Sequence, residues 1–525
     1  MTGRFLMFGA AMSLCFEALA QGAGGGDSTA VFGSGNNFIG EYRYADLRAG
    51  TVGHNTAHVS NLSRGAASFG LSHSQGDLHR VQEGGVGNAV AFEAERHQGF
   101  PSRAMYVYGR FRFSQRHVKD RAWCDVLRPY DANPFFPGSA IRGSYDDQSF
   151  DLDGILAKDF GGRVVAGVEL RYAMTDFSRL RDPRPRSQML DYMVGPSVRL
   201  LLGGGNSAVG LQLAYDRRKE KIASVSTVSS SSTIVYWQMS GLESATGTIG
   251  GFGGYNREWV NHKFGGELSF DRKTDRYAMV AAVSLHKSTE YVYGTYKFEP
   301  GRMGGYDYGL QTSHKLWCGD MLHHLSLNVS YREGYADEFA QSLVQTRDSA
   351  TGYTSSRYVR LITFRKRFQI QVLDASLGYT AHWLDGRGER AYAGLGLAYG
   401  RSRQKHLLPT SRLTRSRLRV GVEGGVVFFK GSLLAEVDAG YAPSTEARMS
   451  LADETGAYAQ SVLVPDLDFY RSDITDASLK LTLQRHNVLR HGRHFRWFVA
   501  AQGGFEGNSA GKSNANFALS LGVFY

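Results

Sequence analysis

Cysteine is nearly absent. The 525 residues contain three, and Cys15 falls within the N-terminal apolar stretch. Cys124 and Cys318 alone remain beyond it, too few for a disulfide framework. Each follows a Trp, but a bond between them would need Cα atoms within about 7 Å, and the strand order argued below sets them at opposite ends of the molecule. Long apolar runs are missing too. After the first twenty residues nothing approaches the roughly 18 uncharged apolar residues of a membrane helix, and mean hydropathy is −0.30. The mature chain therefore has no helical anchor. If it sits in a bilayer it must be a closed barrel, because only a closed sheet satisfies strand backbone groups in lipid.

Recognisable chemistry is missing as well. The 16 His are scattered, and neither His323-His324 nor His491-x-x-His494 completes a metal set with Cys or a carboxylate. "EGNSAGKS" resembles a phosphate-binding loop, but Glu506 stands where the pattern needs Gly, and a strand rather than a helix follows Ser513. Ser, His and Asp occur in many connections without a spacing that singles out a catalytic set. No enzyme activity, metal or cofactor is expected. The net charge of +11 would suit nucleic acid in a cytoplasmic protein. In an exported chain it points to anionic lipid or a basic lumen, and no nucleic-acid partner is expected.

Export follows from the start of the chain. Arg4, an apolar stretch from Phe5 to Phe16 and the small-x-small pattern Ala18-Leu19-Ala20 make residues 1–20 a secretory signal peptide. Residues 21–60 form a Gly/Ser-rich segment, a strap or small plug. Within it "FIGEYRYADLRAG" could be a further strand, part of a plug or a periplasmic strap. Residues 61–525 read as the barrel. There apolar residues recur at every second position for about ten residues at a time. Val209, Leu211, Leu213 and Tyr215 oppose Gly210, Gln212, Ala214 and Asp216. Leu325, Leu327, Val329 and Tyr331 oppose Ser326, Asn328, Ser330 and Arg332. About 18 such segments (16–20) run from residues 66–75 to 514–525.

A soluble sandwich also alternates. The connections decide between the two. Short turns such as Lys430-Gly431 alternate with longer stretches, about 116–148, 217–262, 334–369 and 442–476 among them. A transmembrane antiparallel up-and-down barrel with short periplasmic turns and long extracellular loops explains that asymmetry. The chain ends on "NFALSLGVFY". Phe517, Leu519, Leu521, Val523 and Tyr525 form one apolar face with a terminal aromatic. The other face is small and polar except for Phe524. This suits a closing lipid-facing strand and a recognition signal for the barrel-assembly machinery, and it puts the long loops outside the cell.

Trp123 followed by Pro129, Tyr130, Asn133 and Pro134 (a "PY-x-x-NP" pattern), and "DPRP" at Asp182 to Pro185, resemble an uncharacterised Bacteroidota-type family of outer-membrane β-barrel proteins. The resemblance runs from about residue 60 to the end. It implies a barrel in the cell outer membrane and no assigned activity.

Polar faces of the strands supply lumen candidates: Arg110, Arg112, Arg163, Arg171 and Arg419 among the cations, Glu169, Glu267, Glu423, Glu436 and Asp438 among the acids. They could tune an open pore or pack the lumen shut as ion pairs, with Arg419 and Glu423 one strand from Glu436 and Asp438. The densest basic run, Arg401 to Arg419, reads as a rim in which Arg412, Arg415 and Arg417 could meet lipopolysaccharide phosphates or anionic solutes. Function is read as a porin-like channel or transporter for small polar solutes. The alternative is a plugged barrel whose long loops dock partners in a surface complex.

Overall fold

The computed structural model describes residues 35–49, 63–228, 233–250, 255–386, 388–488 and 494–525. The expected signal peptide lies outside them. The strands are β1 (Arg64–Gly76), β2 (Val86–Phe100), β3 (Met105–Arg121), β4 (Pro137–Gly138), β5 (Gly143–Phe160), β6 (Val164–Arg179), β7 (Arg184–Leu202), β8 (Ser207–Ser226), β9 (Val235–Met239), β10 (Ala245–Ile249) and β11 (Arg257–Lys273). They continue as β12 (Tyr277–Gly294), β13 (Gly301–Cys318), β14 (Met321–Arg347), β15 (Thr354–Asp385), β16 (Gly388–Leu407), β17 (Thr410–Phe428), β18 (Leu433–Ala442), β19 (Ser444–Ser450), β20 (Ile474–Val488), β21 (His494–Asn508) and β22 (Ser513–Phe524).

All but β4, β9 and β10 join one 19-stranded antiparallel sheet that closes where β22 pairs with β1, Phe524 opposite Ala66 and Phe517 opposite His73. β18 and β19 both pair with β17 and are two halves of one stave, broken at Pro443, which has no N–H to give the ladder. The barrel therefore has eighteen staves, each beside its chain neighbour, matching the strand number and topology read from the alternation.

The wall is apolar outward. Leu213, Phe264 and Leu395 are 56 %, 66 % and 61 % exposed, and the closing strand adds Phe517 and Leu521. A continuous belt of this kind is a liability in water and the required surface in lipid. Among the described residues no helix is long and apolar enough to cross a membrane.

The long connections differ from expectation. Most of 334–369 is strand, because β14 and β15 run on as a hairpin of 27 and 32 residues, and the basic run Arg401 to Arg419 is strand on both sides of a two-residue turn at Leu408-Pro409. Above the apolar belt the outward face turns polar, so apolar alternation fades while hydrogen-bonded pairing continues. Three connections at this end, 122–142, 227–256 and 451–473, stay long. All three contribute residues that turn into the barrel mouth. There Trp123, Phe135, Phe136, Tyr236, Met239, Tyr458, Val462 and Leu467 pack on inward residues of the wall, such as Trp259, Ile370 and Leu413, and form the main apolar core of the molecule. β4, β9 and β10 make a small sheet within this cap. A π-helical turn (Ala459–Leu463) and helix α2 (Val464–Arg471) complete it; α1 is the helix Phe38–Ala49 nearer the N-terminus.

At the opposite, short-turn end α1 lies inside the barrel. "FIGEYRYADLRA" is thus a helix and not a nineteenth stave. Phe524, the one aromatic on the inward face of the last strand, is explained by it: its ring lies 5.2 Å from that of Phe38 and 5.1 Å from that of Tyr42. Gly431, at φ +95°, turns β17 into β18 directly beneath the helix start, where an added Cβ would come within 2.7 Å of the Asn37 backbone nitrogen.

Candidate functional site

The lumen is the candidate site, and three layers define it. The upper layer is the cap. The segment after β3 is tied to walls around the barrel: Leu127 N–H donates to Glu220 on β8 (3.0 Å), Asn133 Nδ2 to Glu290 on β12 (2.8 Å), and Asp131 accepts from Ser402 on β16 (2.7 Å) and Arg415 on β17 (2.5 Å). Trp259 on β11 donates its indole N–H to Phe135 O at 2.8 Å. Tyr130 reaches the other way, donating to Asp466 of α2 (3.3 Å) beneath the Arg80 guanidinium (3.7 Å to the ring centre). Pro129, Tyr130, Asn133 and Pro134 are therefore the centre of this brace. Asp182, in the turn after β6, accepts from Arg184 (2.8 Å) and Val228 N–H (2.9 Å), linking two hairpins at the same end.

The cap holds several ionisable groups away from water. Burial pushes Asp125 and the Cys124 thiol up, the latter despite the Arg121 guanidinium beside it. Burial opposes the charge of Asp131, but Arg415, Ser402 and Gln404 outweigh it and hold the carboxyl below its usual range. Asp466 goes the other way: burial pushes it up to about 6, against the donors Val81 N–H and Tyr130 and the nearby Arg80. A raised carboxyl favours the folded cap fully below its unfolded value near 4, and that contribution is lost as pH rises through 6. We therefore expect hydrogen-exchange protection of residues 458–471 to fall between pH 4.5 and pH 7.5, by about 2 kcal/mol from this group, and Asp466→Asn to abolish most of that fall.

The middle layer is a charged chamber. A cavity of about 870 Å³ below the cap is lined by Arg128, Asp191, Asp216, Arg218, Lys263, Glu290, Asp307, Arg332 and Asp374. A second, of about 500 Å³, shares Lys263, Asp307 and Asp374 with it and reaches Arg417 and Arg419. Arg218–Glu290 (2.8 Å), Lys263–Asp307 (2.9 Å) and Arg332–Asp307 (3.2 Å) are ion pairs. Among the described residues Arg128, Asp191, Asp216 and Asp374 have none and face the open volume.

The lower layer is α1 and its sockets. Arg43 pairs with Glu436 on β18 (2.5 Å) and Glu389 on β16 (3.6 Å). Tyr42 donates to Glu95 and Arg64 pairs with Asp46. Lys315 on β13 donates to Leu47 O (2.7 Å), and Gln484 on β20 accepts from Ile39 N–H (3.0 Å). The helix is held mainly by charges and hydrogen bonds, the cap mainly by an apolar core.

The structure brings most of the sequence candidates together as pairs. Arg110 meets Asp153 (2.5 Å) and Glu93 (3.8 Å). Arg112 sits opposite Asp151 in the ladder. Arg171 binds Glu169 (2.6 Å), which also accepts from Gln212 (3.0 Å), while Glu267 is buried opposite Gln212. Arg419 bridges Asp438 (2.9 Å) and Asp476 (2.7 Å). Glu423 accepts from Thr380 (3.1 Å) instead of joining them. Glu436 belongs to the α1 socket. Arg163 is corrected: it lies exposed in the turn before β6, one residue short of the strand, and so has no place on an inward strand face. The basic rim is corrected in part. Arg412 is exposed, but Arg415 and Arg417 turn inward, Arg415 to Asp131 and Arg417 to the carbonyls of Phe469 (3.2 Å) and Ser472 (2.7 Å). The α1 residues Tyr42 and Arg43 and the cap residues Asp131 and Asp466 were not among the candidates. Besides the plug reading of "FIGEYRYADLRAG", Phe524, an aromatic on an otherwise small and polar inward face, is a signal in the wall that points to α1.

The barrel aligns with solved structures at low identity. The outer membrane transporter YddB from Escherichia coli is 9 % identical over 87 % of this chain and 80 % of that one, with a TM-score of 0.41. The ferric yersiniabactin uptake receptor FyuA from Yersinia pestis gives 7 %, 88 %, 80 % and 0.43, and the siderophore receptor PirA from Acinetobacter baumannii 8 %, 89 %, 81 % and 0.37. No curated protein matches the sequence. Residues 54–525 match the model of one family across the whole barrel, and the chain belongs to that family, a family of unknown function (DUF6850).

Proposed function

We propose that this chain is an outer-membrane transporter for small polar, charged solutes, gated by its cap, and not an open porin. A barrel of sixteen to eighteen strands leaves an aqueous channel unless something fills it. The observation that carries the reading is the cap: one segment bonded to β8, β11, β12, β16 and β17 spans the mouth. Beneath it lies a charged chamber with room for a solute. The outward apolar belt supports a place in lipid, and the terminal face of Phe517, Leu519, Leu521, Val523 and Tyr525 supports delivery by the barrel-assembly machinery, with the cap outside the cell. In planar bilayers the purified protein is expected to be silent at rest. A steady open channel from the unmodified protein would defeat the gated reading.

A second reading has its own support. β15 is 32 residues long, roughly 75 Å of rise at a 45° tilt against an apolar band of about 25 Å. The β14–β15 hairpin therefore stands clear of the wall, exposing Leu343, Val344, Tyr353, Leu361 and Ile362. That surface suits a plugged scaffold in a surface complex. If variants with an opened cap are as silent as the parent, the scaffold reading replaces the transporter.

A further inference from the structure

The outward face of β16, β17 and β19 carries an arrangement of charge that the chain does not answer. Ser402 and Gln404 on β16 turn inward to Asp131, so Arg403 and Lys405 between and beyond them turn outward. Leu413 on β17 and Met449 on β19 pack in the inner core, so Arg412, Thr414, Arg448 and Ser450 turn outward as well. The register then lines them up. Arg403, Thr414 and Arg448 form one row across three strands, and Lys405, Arg412 and Ser450 the next. Lys405 stands directly opposite Arg412, a like-charged pair that is unfavourable without a counter-ion. Among the described residues none of these four cations has an ion pair. The outward acid of β19, Glu446, is taken by Arg401 at 3.2 Å. Arg403 Nε is buried and has no hydrogen-bond partner.

The position of the patch specifies its counter-ion. The lipid-facing run of β16 is Leu395, Leu397 and Tyr399, and Arg403 follows four residues above Tyr399. At a strand tilt near 45° this is about 10 Å above the apolar boundary, the depth of lipid headgroups. Two rows of guanidinium and ammonium groups with hydroxyls between them match a multiply charged phosphate oxyanion. We infer that Arg403, Lys405, Arg412 and Arg448 bind the phosphates of a phosphorylated glycolipid in the surrounding leaflet. The inference rests on the membrane location proposed above, and not on transport.

The test is lipid retention by the full chain through detergent exchange, read by native mass spectrometry. Its probes are a bis-phosphorylated lipid A, the same lipid after phosphatase treatment, and inorganic pyrophosphate. The parent should retain the phosphorylated lipid at least about tenfold better than its dephosphorylated form. The R403Q/K405Q/R412Q/R448Q variant should lose that preference while keeping heat-modifiable mobility on gels, which shows its barrel intact. Equal retention of both lipids by the parent, an unchanged preference in the variant, or displacement by pyrophosphate at the concentration of the lipid would overturn the assignment. Because no conductance is read, failure here is separable from failure of the transporter reading.

Discussion

Trp123→Ala turns a silent barrel into a conducting one. Trp123 is 3 % exposed and sits where the three in-folded connections meet, its ring 5.3 Å from that of Trp237 and 5.5 Å from that of Tyr458. Its carbonyl accepts from Gln82 Nε2 (2.9 Å) and its N–H donates to Ser139 O (2.7 Å), so the backbone bonds survive the substitution and the apolar contacts do not. Removing a buried indole costs about 3–5 kcal/mol, a large share of what a cap of this size holds. The wall does not depend on it, since its ladders run stave to stave. The cap should therefore loosen inside an intact barrel. Single-channel recording should show steady openings, and protease should cut within 122–142. The contrasting variant is Leu395→Ala on the lipid face, 61 % exposed, which removes no cap contact and should stay silent. Silence and protease resistance in Trp123→Ala would mean that the mouth is sealed by something other than this core.

The contrast between these two residues also marks how far the sequence could be read. The wall was legible because lipid imposes one period on one face for the whole width of the band, and few other environments do so. Val209, Leu211 and Leu213 carry that period on β8, and Leu325, Leu327 and Val329 repeat it on β14. Strand ends were not legible, because above the band the outward positions become Arg401, Arg403 and Lys405 while the pairing continues unchanged. The cap was not legible either. Trp123, Phe135 and Phe136 lie in a stretch without periodicity, and their partners come from residues 236–242 and 458–470. Long-range packing of irregular segments leaves no local pattern. The same holds for Arg415 and Arg417, which alternation sets on one face of β17 but whose partners, Asp131 and the carbonyls of Phe469 and Ser472, arrive from other connections.

Arg43→Met should release α1 and leave the cap in place. The guanidinium is the hinge pin of the lower layer, 2.5 Å from Glu436 and 3.6 Å from Glu389, whose side chains are only 12 % and 5 % exposed. Breaking a buried pair from one side strands the opposite charge and costs about 3–5 kcal/mol. Here the loss is nearer to about 2 kcal/mol, since Glu436 keeps Tyr392 (3.0 Å) and Lys480 (3.3 Å) and Glu389 keeps His382 (2.5 Å). That is still large for a helix of 12 residues with little apolar anchoring beyond Phe38 and Tyr42 on Phe524. Amide protection of residues 38–49 should collapse while that of the staves holds, and adding Glu436→Gln should restore part of it by removing the stranded carboxylate. Conductance separates the two layers. A helix this short is about 18 Å long and about 10 Å across, so it narrows the lumen without sealing it. Arg43→Met alone should stay silent, and Trp123→Ala with Arg43→Met should conduct more than Trp123→Ala alone. Equal conductance of the single and double variants would show that α1 lies outside the conducting path, and would leave the cap as the whole gate.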